Sequence, residues 1–155
     1  MAWILRSIAI ALAFAASPAA AVFHLWTMTE LYSNADGSVQ FLELRALTSG
    51  QQFMSGHRLQ SRSGAATNTF TFPSNLPGDT SGRRMLVATQ GFADLGIVQP
   101  DYVVPNGFFL PAGGTVDFAE QADLWNHGPL PSGNLSLNRD GTTAEIPPLP
   151  VDVVN

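Results

Sequence analysis

The chain has no cysteine and, because its seven basic residues are all arginine, no lysine. Without cysteine there is no disulfide, no thiolate nucleophile and no thiolate metal ligand, so packing alone must hold the fold. Without lysine there is no Schiff-base chemistry and no Ser-Lys dyad. Long helices are scarce as well: no window of about twelve residues keeps apolar positions at helical spacing without a Gly or Pro interruption. The H-E-x-x-H, C-x-x-C and G-x-S-x-G patterns are missing. The only tight basic pair is Arg83-Arg84, which excludes the basic stripe of a nucleic-acid binder.

The amino-terminal residues carry an address. Arg6 supplies a positive start, Ile8 to Ala16 is almost purely apolar, and Ala19-Ala20-Ala21 gives the small-residue cleavage pattern. These features predict a signal peptide over residues 1–21, cut after Ala21, and hence export to a periplasm, a cell surface or the medium. The apolar run is about half of the roughly 20 residues a spanning helix needs, so no membrane span is expected after cleavage. Removal leaves 134 of the 155 residues, one domain's length. Loss of Arg6 leaves six arginines against twelve acids, a net charge of −6.

The remaining chain reads as short apolar runs between turn formers. Ser-Gly pairs recur at 49–50, 55–56, 63–64, 81–82 and 132–133. Between the breaks lie Phe23 to Tyr32, Ser38 to Leu47, a weak "HRLQSRS", an alternating "NTFTF", a continuous "RMLVATQ", then "DYVVP", "GFFLP", "GTVDFAE" and "NLSLNR". Strands at this spacing predict an all-β fold of two packed antiparallel sheets. Phe41, Phe70, Phe72, Leu86, Val103 and Phe118 are the expected core. A helical turn fits "GFADLG" (91–96) or "EQADLW" (120–125). Residues 144–155 are proline-rich and read as an extended tail, since clustered prolines block a sheet ladder.

Candidate chemistry is sparse. His24, His57 and His127 stand far apart in the sequence, and "GDTSG" (78–82) has only a faint likeness to a serine-protease nucleophile segment. Calcium needs several oxygen ligands close together. The turn Ser33 to Gly37 offers Asn34 and Asp36, and "NRDGTT" offers Asp140, each short of a complete loop; the structural reading is two turns, with Gly37 free to take a positive φ. Glu30 and Glu43 sit on strands that a hairpin brings side by side. Like charges directly opposite destabilise, so a cation is expected beside them, and Arg45 is on the right face. Trp26, Phe108, Phe109 and Trp125 are the aromatic candidates for a binding face, with ordinary core as the competing reading.

The order of these segments carries a resemblance. "MTELYSNADGSVQFLELRAL", with Glu30 closing the first strand and Phe41-Leu42-Glu43-Leu44 in the second, resembles the opening of lamin tail domains. "MSGHRLQ", "FTFP" followed by "RRMLVAT", and "LSLNRDGT" are similar to later segments of that family, so the likeness covers most of residues 25–143. The stretch Gly91 to Pro111 is longer and more aromatic than in eukaryotic members, and Arg45-Ala46 stands where an asparagine often follows, a pattern that looks more like the exported bacterial relatives. The resemblance implies an immunoglobulin-like antiparallel β-sandwich over residues 22–143. It implies a non-catalytic interaction or adhesion module with no cofactor, its partner an extracellular protein or glycan. A carbohydrate- or calcium-dependent binding domain and a small secreted hydrolase are the competing readings.

Overall fold

The computed structural model describes residues 24–146. The expected leader, and the tail from residue 147 onward, lie outside the described residues. In chain order the elements are β1 (Trp26–Ser33), β2 (Gln40–Ala46), β3 (Arg58–Ser63), β4 (Ala66–Thr71), β5 (Arg84–Thr89), α1 (Gln90–Asp94), β6 (Tyr102–Val104), β7 (Gly114–Phe118), β8 (Asp123–His127), β9 (Leu135–Asn138) and β10 (Thr143–Glu145). They form two sheets, ordered β10-β9-β1-β2-β5-β6 and β4-β3-β7-β8. The chain is thus an all-β sandwich. One pairing departs from the antiparallel expectation: β6 runs parallel to β5. A parallel neighbour needs a crossover, and α1 lies in it.

The core sits between the sheets. Trp26, Met28, Leu31, Leu42 and Leu44 meet Leu59, Phe72, Val116, Phe118 and Trp125 there, each less than one twentieth exposed. The alternation of "NTFTF" places Phe72 in this layer, with Phe70 packed half-buried beside it. A second, smaller cluster covers the outer face of the six-stranded sheet: Tyr32, Val39, Phe41, Ala88, Phe92 and Ile146, with Leu86 and Leu95 against it. Phe41 and Leu86 therefore serve the outer cluster, not the central core.

Several expectations need correction. Val103 is exposed, because a three-residue edge strand turns its middle side chain outward. "GFFLP" is no strand; Phe108 and Phe109 sit on a loop and drive both rings into the core, at 3% and 0% exposure. Trp26 and Trp125 are buried too, at 2% and 4%, so none of the four aromatic candidates is a free binding surface. The indole N–H of Trp26 donates to the Gln51 carbonyl at 2.9 Å. Of the two expected helical turns, residues 90–94 form α1, capped by the Thr89 hydroxyl accepting from Phe92 N. Residues 120–125 instead turn tightly and enter β8. The tail boundary also moves. Residues 143–145 pair with β9 and Ile146 is buried, so the sandwich extends at least to Ile146.

Candidate functional site

β1 contains the feature that shapes the outer face. Trp26 and Met28 point into the core, and strict alternation would send Glu30 there next. The β1–β2 register slips between Met28 and Glu30, so Thr29 is an extra residue in the ladder. A bulge of one residue reverses the phase of everything beyond it. Leu31 now faces the core at 0% exposure, and Glu30 is paired with Glu43 across the strands. The bulge is anchored on both sides. Met28 N donates to Asp123 Oδ2 of the opposite sheet at 2.7 Å, and Arg139 N donates to the Thr29 carbonyl at 2.9 Å. The Thr29 hydroxyl donates to Glu43 Oε1 at 2.8 Å.

The hairpin prediction for the two carboxylates is met, but the expected cation is not. Arg45 is exposed, and the guanidinium on Glu43 comes from Arg84 of β5. Glu30 accepts a hydrogen bond from the Ser136 hydroxyl of β9. Together these groups floor a trough of about 590 Å³ on the outer face. Phe41, Leu86, Phe92 and Ile146 supply its apolar surface; Ile97 and Val98, 50% and 52% exposed, form a wall. Four carboxylates line it (Glu30, Glu43, Asp101 and Glu145) against one guanidinium, Arg84. Asp101 is fixed by Arg83 Nη2 at 2.6 Å and by Leu86 N at 2.9 Å.

A second constellation lies at the start of β1. His24 Nε2 and His57 Nε2 are 3.0 Å apart, although 33 residues separate them in sequence. His57 Nδ1 meets Glu120 Oε2 at 2.9 Å, and Arg58 donates to Glu120 Oε1 through Nε at 3.0 Å. Burial, and then neighbouring His57, hold the His24 imidazole below the usual histidine range, against an opposing pull from Glu120. Burial works against the charge on Glu120, yet the hydrogen bonds from His57 and Arg58 leave its carboxyl below the usual range. The non-glycine residues with positive φ among the described residues are His24, Ala119, Glu120 and Gln121. All four gather at this corner. Such backbone costs of order 1–3 kcal/mol per residue and persists only where the surroundings enforce it. His57 finds a carboxylate and a second imidazole as partners, not the serine that a hydrolase triad requires.

The turn residues are used locally. Asp36 Oδ1 accepts from Ser38 N at 2.9 Å, and Asn34 Oδ1 from Val39 N at 3.0 Å. Gly37 takes φ 74°, as the turn requires. Asp140 Oδ1 accepts from Thr142 N at 2.9 Å in a separate turn. Hydrogen bonds from the Ser38 and Thr142 side chains hold both aspartates below the usual carboxylate range. Among the described residues no three His, Asp or Glu side chains gather to hold a metal ion. Sequence reasoning singled out Glu30, Phe41 and Glu43, but as structural residues and not as a site. It missed Arg84 as their cation, Ile97, Val98 and Ile146 as trough walls, and the meeting of His24 with His57. No linear motif links those pairs; only strand register does. No protein-family model, curated protein or solved structure matches the chain.

Proposed function

We propose that the chain is an exported, non-catalytic β-sandwich interaction module that takes its partner in the trough on the outer face of the six-stranded sheet. The observation that carries this reading is the trough itself: an apolar floor with two wall residues half exposed and an excess of carboxylates. Its volume falls in the range of about 300–1,000 Å³ typical of ligand sites, and exposed apolar patches of this kind mark interaction surfaces. The lamin-tail resemblance, which implies an interaction module, supports the same reading.

The lining also indicates the partner's chemistry. Apolar surface selects an apolar segment, and the carboxylate excess selects a cation within it. The partner is a segment of an extracellular protein that presents an arginine or lysine between apolar side chains. Each floor carboxylate already has a donor, Ser136 for Glu30 and Thr29 with Arg84 for Glu43. An incoming cation therefore meets a fixed site and not two mobile charges.

Titration calorimetry with short peptides tests the reading. A Leu-Arg-Leu-type peptide should bind, and its citrulline counterpart should bind more than about tenfold more weakly, equivalent to about 1.4 kcal/mol. Leu86→Asp should abolish binding by placing a charge on the apolar floor. If no cationic peptide binds, or if Leu86→Asp binds as well as the parent chain, the trough is not the site. A glycan array run in parallel reports the sugar-binding alternative.

A further inference from the structure

Among the described residues the two sheets end in four edge strands, β10 and β6 in one and β4 and β8 in the other. An open edge is a row of unpaired N–H and C=O groups, and folded chains blunt it with charge, proline, brevity or a covering side chain. Three of these edges are blunted in that way. β6 has three residues, with Pro100 and Pro105 close on either side. β10 also has three and ends on Glu145. β8 begins with Asp123, and Arg139 lies along it, donating to Asp123 Oδ1 at 2.9 Å and to the Leu124 carbonyl at 2.8 Å. β4 is the exception. Its six residues, Ala66–Thr71, include neither a charge nor a proline, and three of them are β-branched threonines. Its pairing with β3 runs without a bulge from the Ser63–Ala66 pair to the Arg58–Thr71 pair.

The ladder decides which backbone groups of β4 are open. The two-residue turn Gly64-Ala65 makes Ser63 and Ala66 a hydrogen-bonded pair, and such pairs alternate along antiparallel strands. Phe72 N donates to the His57 carbonyl at 2.9 Å, which keeps the same phase just past the end of β4. Ala66, Asn68 and Phe70 therefore direct their N–H and C=O groups at β3, and those of Thr67, Thr69 and Thr71 point out of the sheet. Among the described residues no backbone bond outside the ladder takes them. The three threonine side chains are exposed, whereas Asn68 and Phe70 are half-buried. Asn68 Nδ2 donates to the Phe108 carbonyl at 2.8 Å, and Phe70 packs edge-on against Phe72, so the strand is held from within. Beside it a groove of about 220 Å³, lined by Thr67, Asn68, Thr69 and residues 105–108, leaves room for an incoming strand.

We propose that two copies of this chain join through antiparallel β4 strands about a two-fold axis at Thr69. Charge and symmetry both select a second copy as the occupant. The chain is acidic, with twelve carboxylate residues against seven arginines, so two copies repel except where the contact carries no charge. β4 is such a contact. Its open groups at Thr67, Thr69 and Thr71 are also symmetric about Thr69, so the strand turned end for end offers the same row. Thr69 exchanges a pair of hydrogen bonds with its own copy, and Thr67 does so with the partner's Thr71 on each side of the axis. Threonine meets threonine at every one of these positions, a favourable cross-strand pairing. With one open edge per chain the assembly closes at two and does not grow into a fibre. A strand of six residues spans only about 20 Å. The contact is therefore smaller than the roughly 1,200–2,000 Å² of a standard interface, and the dimer is concentration-dependent. The trough lies on the other sheet, so failure of either site leaves the other standing.

Sedimentation velocity of the purified chain from micromolar to millimolar concentration should show the mass rising from one chain toward two. Hydrogen exchange at the two ends of that range should slow at the amides of Thr67, Thr69 and Thr71, and not on β6, β8 or β10. Thr69→Lys sets like charges directly opposite at the axis and should keep the chain monomeric, and Thr69→Glu should do the same. An equimolar mixture of the two variants should pair again, about tenfold more tightly than either variant alone. Circular dichroism checks that both variants fold. A parent chain that stays monomeric at millimolar concentration would overturn the proposal and leave the edge to an extended segment of another protein. Thr69→Lys pairing as well as the parent would overturn it too. A mixture no tighter than its components would show that Thr69 does not lie opposite itself, and protection on another edge would move the contact off β4; either result sinks the proposal.

Discussion

Replacing Asp123 by alanine should cost the sandwich a large share of its stability, through one backbone hydrogen. Met28 N points away from β2, and Asp123 Oδ2 receives it from across the sandwich at 2.7 Å. Met28 is fully buried, so without that oxygen its N–H has no access to water. A buried donor left unmade costs about 1–3 kcal/mol. The Asp123 Oδ1 pair with Arg139 Nη2, at 2.9 Å, is lost as well. That guanidinium is about one third exposed, so its loss adds less than about 1 kcal/mol. The expected total is about 1–4 kcal/mol, against a native stability of about 5–15 kcal/mol. For a domain of this length that lowers Tm by roughly 4–16 °C. Urea unfolding followed by tryptophan fluorescence should show a lower midpoint at unchanged slope, since Trp26 and Trp125 are both in the core. Asp123→Asn keeps an acceptor for Met28 and should lose about half as much. If Asp123→Ala costs under about 1 kcal/mol, or Asn costs as much as Ala, the account of the bulge is wrong.

Deleting Thr29 should be worse than any substitution there, because it restores alternation and turns Glu30 toward the core; limited proteolysis should find the chain unfolded. Stability should also fall on the acid side. The folded pKa of His24 is depressed by burial first, so the unfolded chain binds more protons below the ordinary value of 6.5. Its contribution is complete above pH 6.5 and is lost as pH falls from there through the folded value. His24→Gln should flatten the urea midpoint between pH 7 and 5, and an unchanged slope would assign the effect elsewhere, His127 being depressed in the same direction. Gly114→Ala should cost at least about 2–3 kcal/mol, since φ is 152° and an added Cβ would lie 1.9 Å from the Arg62 carbonyl oxygen of the neighbouring strand. A change below about 0.5 kcal/mol in the same urea assay would show that β3 and β7 can separate freely.

Fold class was legible because alternation and turn chemistry are local. "NTFTF" needs no partner to declare a period of two, and the Ser-Gly pairs mark turns wherever they fall. The side facing water was legible only where nothing interrupts the period. Glu30 follows Trp26 and Met28 at even spacing, and only the extra residue between them decides that it lies outside. Phe108 and Phe109 failed for a related reason. A loop can bury both neighbours, whereas a strand divides them between its faces. Gln40 makes this possible: buried at 0% exposure, it donates to the Phe109 carbonyl at 2.6 Å and accepts from Phe109 N at 2.9 Å, satisfying the loop backbone where a strand partner would have done so.

Both candidate sites are built along one strand. β1 begins beside His24, whose ring is held by the corner of His57 and Glu120, and it carries Glu30 beyond the bulge to the trough on the opposite side of the same sheet. Asp123 lies between them, on the strand that the turn at 119–121 feeds into. Its carboxylate fixes the bulge, and the turn fixes Glu120. A change in that turn therefore acts on both sites. Through Glu120 it alters the support of His24, and through Asp123 it alters the phase that sends Glu30 outward. Gln121→Gly probes this link, since glycine accepts the positive φ of 72° without strain yet keeps the backbone N–H that Asp117 Oδ1 receives at 2.8 Å. It should leave stability within about 1 kcal/mol and peptide affinity unchanged. Asp117→Ala removes that acceptor and should weaken peptide binding at the trough; if the affinity holds, the turn does not govern the phase of β1.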